Sequence, residues 1–203
     1  MLVEFIFDYP SPYAYLASTQ VGRLGVPVRY EPVGITDVMR RVNNQPSPAC
    51  PPKARYSGMD AGRWARRYGI PYEPNRAFLA ALGTGSFDYQ VLTRGALVAQ
   101  ELDLFAPYNT AMFAAIWAKP QDIVTADGRE TFLKKHGIDA PFFWQRAESS
   151  QLRAELEARN EAAAKRGVFG VPTFFVDNEM FFGNDRLDFV RARLAAHSED
   201  IPA

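Results

Sequence analysis

Few side chains in this sequence are equipped for covalent chemistry. Among its 203 residues there is one cysteine, Cys50, and there are two histidines, His136 and His197. A single cysteine forms no intramolecular disulfide and no cysteine-based zinc site. The histidines stand far apart with no carboxylate at metal-binding spacing, so a zinc hydrolase or a Ser-His-Asp hydrolase is poorly supported and no metal site is expected. Two stretches remain. In Asp8-Tyr9-Pro10-Ser11-Pro12-Tyr13-Ala14, Ser11 and Pro12 suit the N-cap and first position of a helix. Unpaired N–H groups at such a helix start also favour an anion, a thiolate among them. In Gly167-Val168-Phe169-Gly170-Val171-Pro172-Thr173, Pro172 stands where a strand begins. A trans bond there merely starts the strand; a cis bond turns the carbonyl and N–H of Val171 sideways, an edge for a short peptide-like ligand.

The elements that must position these stretches follow from the hydrophobic pattern. Leu2–Phe7 is almost wholly apolar, as in a strand buried on both faces. A helix is expected from Ser11-Pro12, with Leu16, Gln20 and Leu24 spaced by four, closing at Pro27. Val28–Val33 alternates as a second strand, which makes the opening a β-α-β unit. A proline-rich loop follows, with Pro46, Pro48, Pro51 and Pro52 around Cys50. Residues 60–166 read as mostly helical: Asp60–Tyr68, Phe87–Phe105 ending at Pro107, Tyr108–Ala118, Thr131–His136, Pro141–Glu148 and Gln151–Arg166. Thr173–Val176 and Glu179–Phe182 then flank Asp177-Asn178, a pair suited to the positive φ angles of a type I′ turn. A last helix is expected near Asp185, a good N-cap.

Composition narrows the partners. Apolar residues make up 47% of the chain, enough for one core domain, with or without an insertion. With 23 basic and 23 acidic side chains, nothing calls for nucleic acid or an anionic membrane as partner. Arg63, Arg66 and Arg67 read as the solvated face of a helix. The start, Met1 to Phe5, lacks a basic region and carries Glu4, unlike a signal peptide. The longest apolar stretch, Val168–Val176, is far short of the ~20 residues that span a bilayer. A soluble, cytoplasmic protein is expected.

Taken together, the β-α-β opening, the helical insertion and the Val-Pro-Thr before a hairpin resemble the thioredoxin superfamily. The likeness is to its disulfide-oxidoreductase branch with an inserted helical domain. It implies an α/β, thioredoxin-like fold with an inserted all-helical domain. The thioredoxin-like part would be residues 1–40 and 168–203, and the insertion residues 41–167, including the proline-rich loop. In that branch Cys-x-x-Cys opens the first helix; here Ser11-Pro12-Tyr13-Ala14 stands there. Without sulfur the site has no dithiol exchange of its own, and a serine there needs an outside thiol.

That substitution resembles the kappa-class glutathione transferases and the 2-hydroxychromene-2-carboxylate isomerases. The matching segments, in order, are Phe5–Tyr13, Lys53–Tyr56, Asp60 to Pro71, Gly167–Thr173 and Phe182–Arg186. Gly183-Asn184-Asp185-Arg186 looks more like the isomerases, since kappa transferases usually show Ser before Asp-Arg. The resemblance implies that glutathione is the cofactor and that Ser11 donates its hydroxyl to the glutathione sulfur. Val171, before a cis Pro172, would pair with the cysteinyl part. Asn184 and Asp185 would hold the γ-glutamyl end, and Lys53 the glycyl carboxylate. Asn44 matches the family's loop asparagine, with Asn43 an equally plausible register. Tyr56, Trp64 and Tyr68 are either substrate-facing aromatics or core or inter-lobe packing, and Cys50 is either incidental or a loop thiol near the site open to oxidation or glutathionylation. Phe78–Ser86 departs from the isomerase pattern towards the kappa form, which touches the second-substrate pocket.

The activity implied is glutathione-dependent isomerisation of 2-hydroxychromene-2-carboxylate, or a similar unsaturated aromatic acid, to its ring-opened trans-benzylidenepyruvate isomer. A kappa-type transferase or hydroperoxide reductase is the alternative, and a non-enzymatic thioredoxin-fold binding protein the third reading. Relatives form homodimers, so a homodimer with a small aromatic carboxylate as substrate is expected.

Overall fold

Val3, Phe5 and Phe7 face one side of strand β1 (Val3–Phe7), Ile6 faces the other, and all four are buried. A strand of this kind must be covered on both faces. A computed structural model describes residues 2–139 and 142–199, with side chains as far as Ala196. Met1, Pro141 and the side chain of His197 lie outside the described residues. In it β1 lies inside a four-stranded sheet of order β2-β1-β3-β4. It runs parallel to β2 (Val28–Pro32) and antiparallel to β3 (Thr173–Val176). β3 in turn pairs antiparallel with the edge strand β4 (Glu179–Phe182).

The two faces carry different cores. On one, Phe5 stacks on Phe174 at 5.1 Å and meets Tyr30 edge-on at 5.6 Å. Helices α1 (Pro12–Ser18), α5 (Gln90–Glu101), α6 (Phe105–Trp117) and α10 (Leu187–Glu199) contribute to that core. On the other face Ile6 and Phe175 meet Ile35 and Val38 of α2 (Ile35–Arg41) and Ala163 of α9 (Ser150–Lys165). The thioredoxin-like fold expected from the sequence is thus present, with α3 to α9 falling between β2 and β3 in the chain.

Several elements differ from the sequence expectation, each for a local reason. The proline-rich stretch is not all loop: α3 spans Pro51–Tyr68 and begins nine residues before Asp60, after a 3-10 turn at Ser47–Ala49. Pro51 and Pro52 occupy the first turn, where no N–H is needed and the fixed φ already suits a helix. Pro107 likewise sits in the first turn of α6 and does not separate two helices. The helix expected over 87–105 is the shorter α5, interrupted where Asp103 takes a left-handed φ of 57°. α7 (Ala126–Lys135) starts earlier than expected because Thr125 caps it through Gly128 N–H. α8 is Phe143–Ala147. Two helices went unread, α2 and α4 (Arg76–Thr84), the latter capped by Asn75 through Phe78 N–H. In the hairpin only Asp177 has a positive φ, 56°, whereas a type I′ turn requires it of Asn178 as well.

α2 was hard to read because it carries no cap of its own. Its N-cap is Gly34, without a side chain. The free N–H groups are met from elsewhere in the chain: Gly34 N–H donates to Asn160 Oδ1 of α9 at 2.7 Å, and Ile35 N–H to Asp8 Oδ2 at 2.9 Å. Asn160 is buried, so Asn160→Ala leaves Gly34 N–H without a partner and out of reach of water. That change is expected to cost about 1–3 kcal/mol in a urea or guanidinium unfolding experiment.

Candidate active site

Ser11 sits where β1 has ended and α1 begins. Its backbone is extended (φ −92°, ψ 115°), its Oγ accepts from Ala14 N–H at 3.1 Å, and Pro12 takes the first helical position. The cap expected from the sequence is formed. Its hydroxyl proton goes to the carbonyl of Val171 at 3.2 Å, across 160 positions of sequence. The two stretches singled out by their chemistry therefore meet at one hydrogen bond.

The Val171–Pro172 bond is cis. Val171 is buried, its carbonyl faces Ser11, and among the described residues no group accepts its N–H. The Pro172 carbonyl accepts from Gly183 N–H at 2.9 Å, which brings the 3-10 turn Asn184–Arg186 alongside. Gly183 holds a φ of 112°, a conformation that an L side chain rarely adopts, so glycine is required at this bend. Asn184 is buried; its carbonyl accepts from Tyr68 Oη at 3.1 Å, and the turn packs against α1. Asp185 is exposed and its carboxylate pairs with Arg186, so it lies inside the 3-10 turn and α10 starts after it, at Leu187.

The asparagine pair divides its duties. Asn43, with φ 56°, lets the chain leave α2, and Asn44 N–H then closes back on Met39 at 2.8 Å. The Asn44 side-chain amide donates to the Phe169 carbonyl at 2.7 Å, fastening the loop that carries Val171. Lys53 stands in the first turn of α3, exposed, with no hydrogen bond to the other site residues. It shares with Tyr13, Ser47, Pro52, Tyr56 and Ser57 an open recess of about 360 Å³. Trp64 and Tyr68 pack together at 5.3 Å against the core, while Tyr56 is exposed on the recess side. Cys50 is the N-cap residue of α3 and makes no side-chain cap.

One contact was not anticipated. Tyr13 Oη donates to Asp60 Oδ2 at 3.1 Å, joining α1 to α3 beside Ser11. Burial, then the neighbouring Asp60 carboxylate, holds the Tyr13 phenol well above its ordinary range, so it stays protonated. The spacing of Tyr13 and Asp60 carries no signal in the sequence, because the pair is made across two helices.

The model of the DSBA-like thioredoxin domain matches residues 2–195. The chain belongs to the DSBA-like thioredoxin family. Within it, the 2-hydroxychromene-2-carboxylate isomerase of Pseudomonas putida is 31% identical over 212 residues, covering 99% of each chain. A solved 2-hydroxychromene-2-carboxylate isomerase superposes with a TM-score of 0.80 at 27% identity, over 100% of both chains. Glutathione S-transferase kappa 1 of Caenorhabditis elegans is 24% identical, over 98% of this chain and 93% of its own. The resemblance read from the sequence is borne out.

In this DSBA-like chain the residue before the site is as constrained as the site. Asp8 is wholly buried, and its Oδ1 accepts from Tyr9 N–H at 2.9 Å and from Thr93 Oγ1 at 2.7 Å. Burial pushes its carboxyl up to about 7, against the pull of its hydrogen bonds from Ile35, Thr93 and Tyr9. The sign follows: between 3.8 and about 7 the folded chain keeps a proton that the unfolded chain has lost, so this group's contribution to stability falls as pH rises. Asp8→Asn lacks that term. Unfolding measured across this window is expected to show wild type losing stability relative to Asp8→Asn as pH rises, and a constant difference above it. A difference that does not change with pH would contradict the burial argument.

Proposed function

We propose that this protein interconverts 2-hydroxychromene-2-carboxylate, or a similar unsaturated aromatic acid, with its ring-opened trans-benzylidenepyruvate isomer, using glutathione. The observation that carries the reading is the Ser11 hydroxyl on the Val171 carbonyl beside cis Pro172, at the helix start where the resemblance to the disulfide oxidoreductases implies a Cys-x-x-Cys. The residues fit glutathione: among the described residues Val171 has an N–H with no acceptor and a carbonyl held only by Ser11.

Ser11 has one hydroxyl proton. In the structure it goes to Val171; beside a sulfur anion it turns to the sulfur, which releases the Val171 carbonyl to accept from a peptide N–H. The Ala14 N–H, already donating to Ser11 Oγ, makes that hydroxyl a better donor. Asp185 suits an ammonium, and the backbone N–H groups of the turn it belongs to suit an α-carboxylate. Lys53, exposed in the recess, suits the glycyl carboxylate, and Asn44 keeps the loop in place through Phe169. When bound, glutathione supplies a thiolate that adds reversibly to the conjugated carbon and leaves after rotation about the temporarily single bond, with no net oxidation. The protein's own part is to lower the cost of the anion and to orient the acceptor. A glutathione-dependent reaction also suits a reducing, cytoplasmic setting.

A kappa-type transferase is the second reading. It is favoured by the kappa relative and by the Gly85-Ser86 form of the stretch that departs from the isomerase pattern. Absorbance of 2-hydroxychromene-2-carboxylate, followed with and without glutathione, separates the two. Conversion that requires glutathione without consuming it is expected. Conjugation of an electrophilic aromatic with no isomerisation would favour the transferase. In Ser11→Ala the rate constant is expected to fall about a hundredfold with glutathione binding largely kept; unchanged turnover would remove Ser11 from the mechanism.

A further inference from the structure

Asp8 has no place in the chemistry above, yet it is the most completely enclosed polar group next to it. Three donors from three parts of the chain converge on its carboxylate: Tyr9 N–H from its own loop, Ile35 N–H from the uncapped start of α2, and the Thr93 hydroxyl from α5. Its main-chain carbonyl accepts from Ser11 N–H at 3.3 Å. Tyr9, one of the two residues between them, is pinned to α6, its carbonyl accepting from Trp117 Nε1 at 2.8 Å and its hydroxyl donating to Asn109 at 3.1 Å. We infer that Asp8 is a positioning residue for Ser11, its three hydrogen bonds holding the 8–11 loop at the height where the hydroxyl meets the Val171 carbonyl. The inference rests on the reading of Ser11 as the group that meets the sulfur.

The cradle takes a carboxyl group and not its amide. Two of the three donors are backbone N–H groups, one on each carboxylate oxygen, so either orientation of an asparagine sets its NH₂ against a backbone N–H. A proton on the carboxyl is tolerated only on the Oδ1 side, where the Thr93 hydroxyl turns from donor to acceptor. No cation compensates the charge: among the described residues no Lys, Arg or His pairs with Asp8. The titratable groups that face it are phenols. Tyr9 lies in its own loop, and Tyr89 precedes α5 with its hydroxyl on Thr36 of α2 at 2.8 Å. Burial, first of all, raises both phenols, so they remain neutral while Asp8 titrates. On α2, Asp37 is engaged by Arg40 and Gln90 instead.

Hydrogen exchange decides the matter without reference to turnover. Protection of the Ser11 and Ala14 amides, corrected for intrinsic pH dependence, is measured in wild type, Asp8→Asn and Thr93→Val. In wild type, protection is expected to fall severalfold as Asp8 ionises, because the enclosed carboxyl holds its proton more tightly than the released one. In Thr93→Val, which keeps the side-chain shape but removes one donor, the midpoint moves to higher pH. In Asp8→Asn, protection stays low at every pH. Turnover with glutathione supplies the second arm: Asp8→Asn is expected to lose about tenfold in kcat, with glutathione affinity changed less than threefold and the pH step gone. Protection that is flat in wild type, or a midpoint unmoved in Thr93→Val, overturns the inference whether or not Asp8→Asn folds. Exchange that behaves as expected in a protein with no glutathione-dependent turnover would instead refute the proposed reaction and leave the positioning role standing.

Discussion

A strand buried on both faces has to end somewhere, and where β1 ends the backbone groups of several elements point at one dry spot. Asp8 fills it. Its carboxylate accepts from the loop, from α2 and from α5, so one side chain joins the sheet to helices on both of its faces. The cost is the burial of a carboxyl group with no cation beside it among the described residues, which its hydrogen bonds offset only in part. A single acceptor serving three donors fixes geometry better than three separate pairs, because moving any one element strands the others' N–H groups. The position of Ser11, three residues on, is set by that constraint.

From there the site is economical. Ser11 Oγ caps α1 through Ala14 and spends its one proton on Val171. The Val171 loop is held on its other side by Asn44 through Phe169, and at its exit by Gly183 on the Pro172 carbonyl. The cap, the cis bond and the glycine bend each have a structural use, and their meeting point presents a hydroxyl, a free N–H and a convertible carbonyl. On the proposed reading, the serine keeps the setting for a thiolate while leaving the sulfur to be brought in.

Legibility in the sequence followed the range of the interactions. β1, the Ser11-Pro12 helix start and the entry to β3 were readable because each depends on neighbours in the chain: an apolar run, a cap with proline, a proline before a strand. α2 was not, because its capping groups, Asp8 and Asn160, arrive from distant segments. The start of α3 was hidden by prolines that break a helix in its middle but suit its first turn. At the site, Ser11, Val171 and Pro172 were legible from local pattern, whereas Asn44, Lys53 and Asn184 came from resemblance alone. The Tyr13–Asp60 contact and the role of Asp8 required the packing of helices on the sheet, which no local spacing encodes.

The central claim is that the Ser11 hydroxyl moves from the Val171 carbonyl to a bound sulfur anion. The most direct measurement is the ionisation of the glutathione thiol on the protein, followed by the ultraviolet absorbance of the thiolate in wild type and in Ser11→Ala. A charge-assisted hydrogen bond of about 1.5–3 kcal/mol corresponds to roughly one to two pH units. The bound thiol is therefore expected to ionise below free glutathione in wild type and about one to two units higher in Ser11→Ala. An identical midpoint in the two proteins would contradict the account.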